Sequence, residues 1–306
     1  MVGVPSLVGL GMSTIDLLVS SEALPSWEGC APLDDLSLDG GGMAANTLVA
    51  FSRLGGKASL IGTYGAGALG ALKTHLLASA GVEIRSMVNL EEDEPAVTLV
   101  FVQTSSGERT FASTGRMRRR QLTASELDRD AILGADGLFL DGFHPQAALA
   151  AAGWMRAAGK LVFVDGGRAE NAQDPVVRAL ADQSTIFFGG AGFCAAYNGV
   201  MDIREAGRRM LTRGPAVYVE TLGENGCWIF SDRGEMYLPA FPVRAIDTTG
   251  AGDVFHGAFL LAWMAGEPLA EAGRFASAAA ALKCERRGAQ AACPNVGQVR
   301  RFLAEQ

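Results

Sequence analysis

From residue 125 onward, short apolar segments alternate with alanine-rich stretches of helix length, and this rhythm restricts the fold more than any other feature of the chain. Gly137–Leu140, Leu161–Val164, Thr185–Phe188 and Ala216–Glu220 read as strands, and the segments between them carry the helices. Strands separated by helix-length segments predict βαβ units, and hence an α/β chain built on a parallel sheet. Nearer the N-terminus, Ser6–Gly11 and Ala58–Ile61 read as further strands. Helices are predicted over Met43–Leu54, which three glycines precede and Gly55–Gly56 stop, and over Leu69–Ala80, stopped by Gly81.

Two regions depart from the rhythm. Thr14–Asp39 holds two strand-like pieces around a Pro/Gly/Trp loop, and Ala96–Thr114 reads as a hairpin around Ser105–Ser106–Gly107. Together they predict a small β appendage, split in sequence, beside the main sheet. A chain of 306 residues buries one large core, so residues 1–306 are expected to form a single domain, with the appendage drawn from about 14–39 and 96–114.

Composition excludes several classes of function. A formal net charge of −7 argues against a nucleic-acid partner, whose phosphates need a basic face. The local exception is Arg116–Met117–Arg118–Arg119–Arg120, which reads either as solvated surface or, at Arg116, as a contact for an anionic substrate group. No uncharged apolar run approaches the roughly 20 residues of a membrane span, and the N-terminus has no basic segment of a signal peptide. A soluble cytoplasmic protein is expected. Cys30, Cys194, Cys227, Cys284 and Cys293 form no C-x-x-C pair, and five thiols cannot all pair within one chain, so buried free thiols are expected rather than zinc or disulfides.

Three strings carry chemistry. In Asp247–Thr248–Thr249–Gly250–Ala251–Gly252–Asp253, a flexible turn leads straight into the apolar helix Val254–Met264. A helix N-terminus presents unpaired N–H groups and the positive end of the helix dipole, which together hold an anion. Phosphoryl transfer needs such donors around the moving group, and Asp253 at the same helix start can accept the proton of an attacking hydroxyl. An aspartate there can equally be a simple cap. The second string is Gly40–Gly41–Gly42–Met43–Ala44–Ala45–Asn46, where glycines admit a substrate close to the backbone and Asn46 can donate to and accept from hydroxyls. Asp16 could accept from two neighbouring hydroxyls beside it. The third, Thr221–Leu222–Gly223–Glu224–Asn225–Gly226, follows a strand and reads as an ordinary turn or a nucleotide loop. Gly9-Leu10-Gly11 is not a dinucleotide fingerprint, since Thr14 stands where the last glycine is required, and no G-x-x-x-x-G-K-[ST] string occurs.

Taken in order, these strings resemble the signatures of the PfkB, or ribokinase-like, carbohydrate kinase family from Gly9 to Pro294. The resemblance implies a Rossmann-like three-layer α/β sandwich, with the β appendage as a lid over the sugar and a clasp for a homodimer. It implies ATP-dependent phosphorylation of a small sugar or sugar derivative, with Mg²⁺, Asp253 as base, and Gly250, Ala251 and Gly252 as the anion hole. Substrate contacts would fall on Asp16, Gly41, Gly42 and Asn46, and nucleotide contacts on Thr221, Gly223, Gly226, Ala279 and Lys283. A K⁺ ion would be held by Asp247 and by carbonyls of Thr249, Lys283, Arg286 and Gly288. The C-terminal third looks most like the sulfofructose kinases of that family, but Phe143 stands where their sulfonate-binding arginine is expected and would give the substrate an apolar surface instead. Met43 replaces a lysine common in ribokinases, Ala292 replaces a serine near the K⁺ site, and Gly190–Phe193 lacks the family's N-x-x-E motif, leaving Mg²⁺ to water and nucleotide oxygens with Asp165 as a helper. A nucleoside kinase of the same fold, or an inactive sugar- or nucleotide-binding regulator, are the alternatives.

Overall fold

The computed structural model describes residues 3–24, 26–29, 32–105 and 109–306. Cys30 and the hairpin tip at Ser106 and Gly107 lie outside the described residues. A nine-stranded sheet runs in the order Gly234–Leu238, Cys227–Ser231, Val217–Thr221, Ile186–Gly190, Leu161–Asp165, Gly137–Leu140, Ser6–Leu10, Lys57–Ile61, Val82–Glu83. All neighbours pair in parallel except along the edge hairpin Cys227–Leu238.

The strands are apolar on both sides because helices cover both sides. Leu7, Phe139, Phe163 and Phe188 face the core under helices Met43–Arg53, Ala251–Met264 and Leu269–Cys284. Val8, Leu138, Val162 and Phe187, one position away in each strand, face the opposite core under Pro145–Ala157, Phe193–Asn198 and Ile203–Leu211. This period of two across a doubly buried sheet produces the continuous apolar runs in the sequence and makes three layers.

A separate four-stranded sheet runs Asp35–Gly41, Thr14–Ser21, Val97–Gln103, Arg109–Ser113. Thr14–Ser21 and Val97–Gln103 pair in parallel, so the two pieces split in sequence become one sheet. Two features went unread in the sequence. The sheet continues past Val217–Thr221 into the edge hairpin, and Thr63–Ala66 pairs with Val88–Asp93 in a two-stranded ribbon. Val88–Asp93 is largely exposed and acidic, so it carries no apolar alternation to betray a strand. Cys194, Cys227 and Cys293 are buried free thiols, and Cys284 is half-buried. Among the described residues no helix is long and apolar enough to cross a membrane.

Candidate active site

The carboxyl ends of the parallel strands open into a cleft, where ligands of open α/β sheets bind. Helix Ala251–Met264 points its N-terminus at this cleft. Gly250 caps it at φ 75°, a left-handed conformation that a glycine adopts without strain. Ala251 and Gly252, expected in the turn, already belong to the first helical turn, where the Gly252 N–H has no intrahelical partner and the Ala251 N–H donates to the Thr248 carbonyl at 3.2 Å. Asp253 follows on the same turn. Burial pushes its carboxyl up to about 7, the negative charge of Asp165 adds to the rise, and the hydrogen bond from Asn46 opposes it.

That hydrogen bond depends on close helix packing. Helix Ala251–Met264 approaches helix Met43–Arg53 at Gly257, where a Cβ would lie 2.3 Å from the Thr47 carbonyl oxygen. At this distance Asn46 Nδ2 donates to Asp253 Oδ2 at 2.8 Å. Gln290 Nε2 donates to Asn46 Oδ1 at 3.2 Å, which fixes the sense of the amide. Asp141, unread in the sequence, anchors the glycine-rich loop by accepting the N–H groups of Met12 at 2.8 Å and Ala44 at 3.1 Å.

Asp16, Gly42, Asn46 and Asp253 line one cavity of 470 Å³. Desolvation raises the buried Asp16 carboxyl to about 6, against the hydrogen bond donated by Thr14 Oγ1 at 2.6 Å. Gly41 does not reach the cavity and instead backs Asp16, where a Cβ would lie 2.1 Å from Oδ2. Phe143 and Arg116 are also elsewhere. Phe143 is buried beside the His144 ring, with the Arg118 guanidinium 5.2 Å above its face. Arg116 is exposed, and Arg120 of the same run pairs with Glu126. The arginines lining this cavity are Arg109, from the small sheet, and Arg168, after strand Leu161–Asp165. Arg109 reaches across to donate to the Thr248 hydroxyl. A lone arginine between Glu108 and Thr110 gave no sequence signal for this role.

A second cavity of 690 Å³ is lined by Thr221, Gly223 and Gly226 on one side and by Ser277, Ala280, Ala281 and Cys284 on the other. Ala279 and Lys283, expected here, lie on the inner face of helix Leu269–Cys284, both fully buried, because that face packs on the core. Thr221, Thr248, Ala251 and Gly252 line both cavities, so the helix N-terminus is their common wall.

Of the expected K⁺ ligands, Asp247 already has a cation beside it, since the Lys283 ammonium lies 3.8 Å from its Oδ2. The Lys283 carbonyl accepts the Arg286 N–H at 3.2 Å, while the Lys283 ammonium donates to the Asp247 carbonyl at 2.6 Å. Arg286 is exposed, and Gly288 contributes its N–H to Asp247 Oδ2 at 2.9 Å. Thr249 likewise gives its N–H to Asp247 Oδ1 at 2.8 Å.

Mg²⁺ has a more suitable neighbourhood. One donor atom each from Asp165, Asp253 and His256 lies within 4.8 Å of the other two. Asp165 Oδ1 accepts the Gly167 N–H at 2.8 Å, and Oδ2 faces His256 Nδ1 at 3.7 Å, a buried atom without a hydrogen-bond partner. Burial holds the His256 imidazole below its usual range, hence neutral. Glu220 cannot substitute for the missing motif carboxylate, since it accepts from the N–H groups of Gly192 and Cys194 and from the Tyr218 hydroxyl.

Comparison with known proteins agrees with this architecture. The chain is 30% identical to a nucleoside kinase of Methanothermobacter thermautotrophicus, over 98% of this chain and 96% of that one. It is also 30% identical to an ATP-dependent ribose-1-phosphate kinase of Halopiger xanaduensis, over 95% of each. The structure of Arabidopsis thaliana ribokinase complexed with ribose and ATP superposes with a TM-score of 0.83 at 24% identity, covering 98% of this chain and 99% of that one. Residues 6–296 match the pfkB family of carbohydrate kinases. By sequence and by fold, this chain belongs to that family.

Proposed function

We propose that the protein transfers the γ-phosphoryl group of ATP to a hydroxyl of a small sugar or sugar derivative. The observation that carries this reading is the common wall, because one cavity holds a carboxylate aimed at an acceptor and the other has the size and turn of a nucleotide site. ATP would lie along Thr221, Gly223 and Gly226, with its γ-phosphate against the N–H group of Gly252 and, once its bond to the Thr248 carbonyl is given up, that of Ala251. The sugar would lie between Asp16 and Asn46, its attacking hydroxyl against Asp253. Asp253 orients that hydroxyl and takes its proton as the O–P bond forms and ADP leaves. Mg²⁺ bound to the nucleotide neutralises charge on the transferring group. Asp165 is the carboxylate on this chain that would meet it, with His256 behind.

A nucleoside acceptor is the second reading, favoured by the nucleoside kinase among the relatives. Both readings use Asp16 and Asn46 for a ribose diol. Arg109 and Arg168 favour acceptors carrying a carboxylate or phosphate, which guanidinium groups pair bidentately. The test is ADP release across a panel of neutral sugars, sugar acids, sugar phosphates and nucleosides. Nucleosides far ahead of every sugar would promote the second reading, and no ADP release with any acceptor would leave an inactive regulator. Dimerisation through the small sheet belongs to the same proposal, supported by Leu36 and Leu38, exposed on one face of it, and solution mass tests it.

A further inference from the structure

The turn Asp247–Gly250 that leads into the anion-holding helix is backed by a lysine with no exposed surface. Lys283 is 0% exposed, and its ammonium lies 2.6 Å from the Asp247 carbonyl oxygen and 3.8 Å from Asp247 Oδ2. The Asp247 carboxylate meanwhile accepts N–H groups from both Thr249 and Gly288, so one residue gathers the turn, the segment after helix Leu269–Cys284, and the ammonium. Burying an ammonium costs several kcal/mol of hydration, and a well-packed apolar side chain at such a site often gives a fold at least as stable. Packing therefore does not account for a charge at this place. Its position does, since it sits behind the backbone that must face a nucleotide's phosphates.

We propose that Lys283 is a built-in monovalent cation, which orders the phosphate-facing turn and takes the place of a bound K⁺. The inference rests on the kinase reading of the cleft. An ammonium is a compact unit charge on a tether, so it performs the electrostatic work of a bound alkali ion without dissociating. It neutralises Asp247, whose carboxylate would otherwise set a negative charge beside the incoming phosphates. Burial pushes the Lys283 ammonium below its ordinary range and Arg109 adds to this, while Asp247 foremost, with Cys284 and Asp39, opposes it.

The experiment is calorimetric titration with ADP, in KCl and in tetramethylammonium chloride at equal ionic strength. Wild-type affinity is expected to agree within about twofold between the two salts, as is turnover with any accepted sugar, because the charge is covalent. Lys283→Met fills the space without the charge. It should weaken ADP binding about tenfold or more in tetramethylammonium, and KCl should restore part of the loss. Wild-type protein that binds ADP severalfold more tightly in KCl, or Lys283→Met that binds ADP as the wild type does, overturns the proposal. Should Lys283→Met fail to fold by circular dichroism, the wild-type salt comparison still decides. Wild-type protein that binds no ADP in either salt removes the kinase reading itself, and the two failures are thereby distinct.

Discussion

Asn46 and Asp253 stand 207 positions apart in the chain and meet through a 2.8 Å hydrogen bond from amide to carboxylate. The bond joins helix Met43–Arg53, behind the glycine-rich loop, to the first turn of helix Ala251–Met264. Burial leaves Asp253 ready to gain a proton, its carboxyl pushed up to about 7, although this bond opposes the rise.

Asp253→Asn keeps the shape and the hydrogen bond but cannot take a proton. Turnover should fall about 10²-fold or more, with ADP affinity little changed. In the wild type, the base is active only when ionised, so kcat/KM should rise with pH below about 7 and level off above it. Stability has the opposite sign. The folded state binds this proton more tightly than the unfolded chain, so ionising Asp253 costs stability as pH rises from the ordinary carboxylate range to about 7. The variant should therefore melt no lower than wild type at pH 8. A pH–rate profile flat from 5 to 8, or near-wild-type turnover in the folded variant, counts against the base.

Asn46→Ala removes the donor that opposes desolvation at Asp253. The inflection of the pH–rate profile should move to higher pH, and the acceptor KM should rise about tenfold, as befits loss of a hydrogen bond to a charged group. An unmoved inflection would show that the two side chains do not communicate in solution.

Gly257→Val tests the helix contact that brings them together. Its Cβ would stand 2.3 Å from the Thr47 carbonyl, backbone that cannot rotate away. A loss of about 1–3 kcal/mol in urea unfolding is expected from forcing the helices apart, and turnover should fall alongside. Wild-type stability would mean the helices separate freely.

Arg109→Ala and Arg116→Ala separate two arginines that the sequence could not rank. Arg109 lines the acceptor cavity and bonds Thr248, whereas Arg116 is exposed outside it. Arg109→Ala should weaken anionic acceptors by about 1.5–3 kcal/mol, the worth of a charged hydrogen bond, with smaller effects on neutral ones. Arg116→Ala should leave the acceptor profile unchanged. The reverse result would place the guanidinium of Arg116 in the closed cleft.

Local order alone determined the α/β class, the parallel sheet and the glycine turn that starts helix Ala251–Met264, and it put Asp253, Asn46 and Asp16 forward as candidates. Each is written within a few neighbouring residues, as apolar strands between alanine-rich helices or glycines before an apolar run. The tertiary structure alone decided which side chains face the cleft. Ala279 and Lys283 occupy one helix with Ala280 and Ala281, yet the first pair faces the core and the second the nucleotide cavity, a matter of rotation about the helix axis against its neighbours. Phe143 follows a strand end as expected but turns into the core beneath Arg118, while Arg109 reaches the site from a different sheet. Lys283 was legible as a carbonyl and proved to matter through its ammonium, because a buried charge is paired by packing between segments far apart in the chain, and pairing across that distance leaves no local pattern.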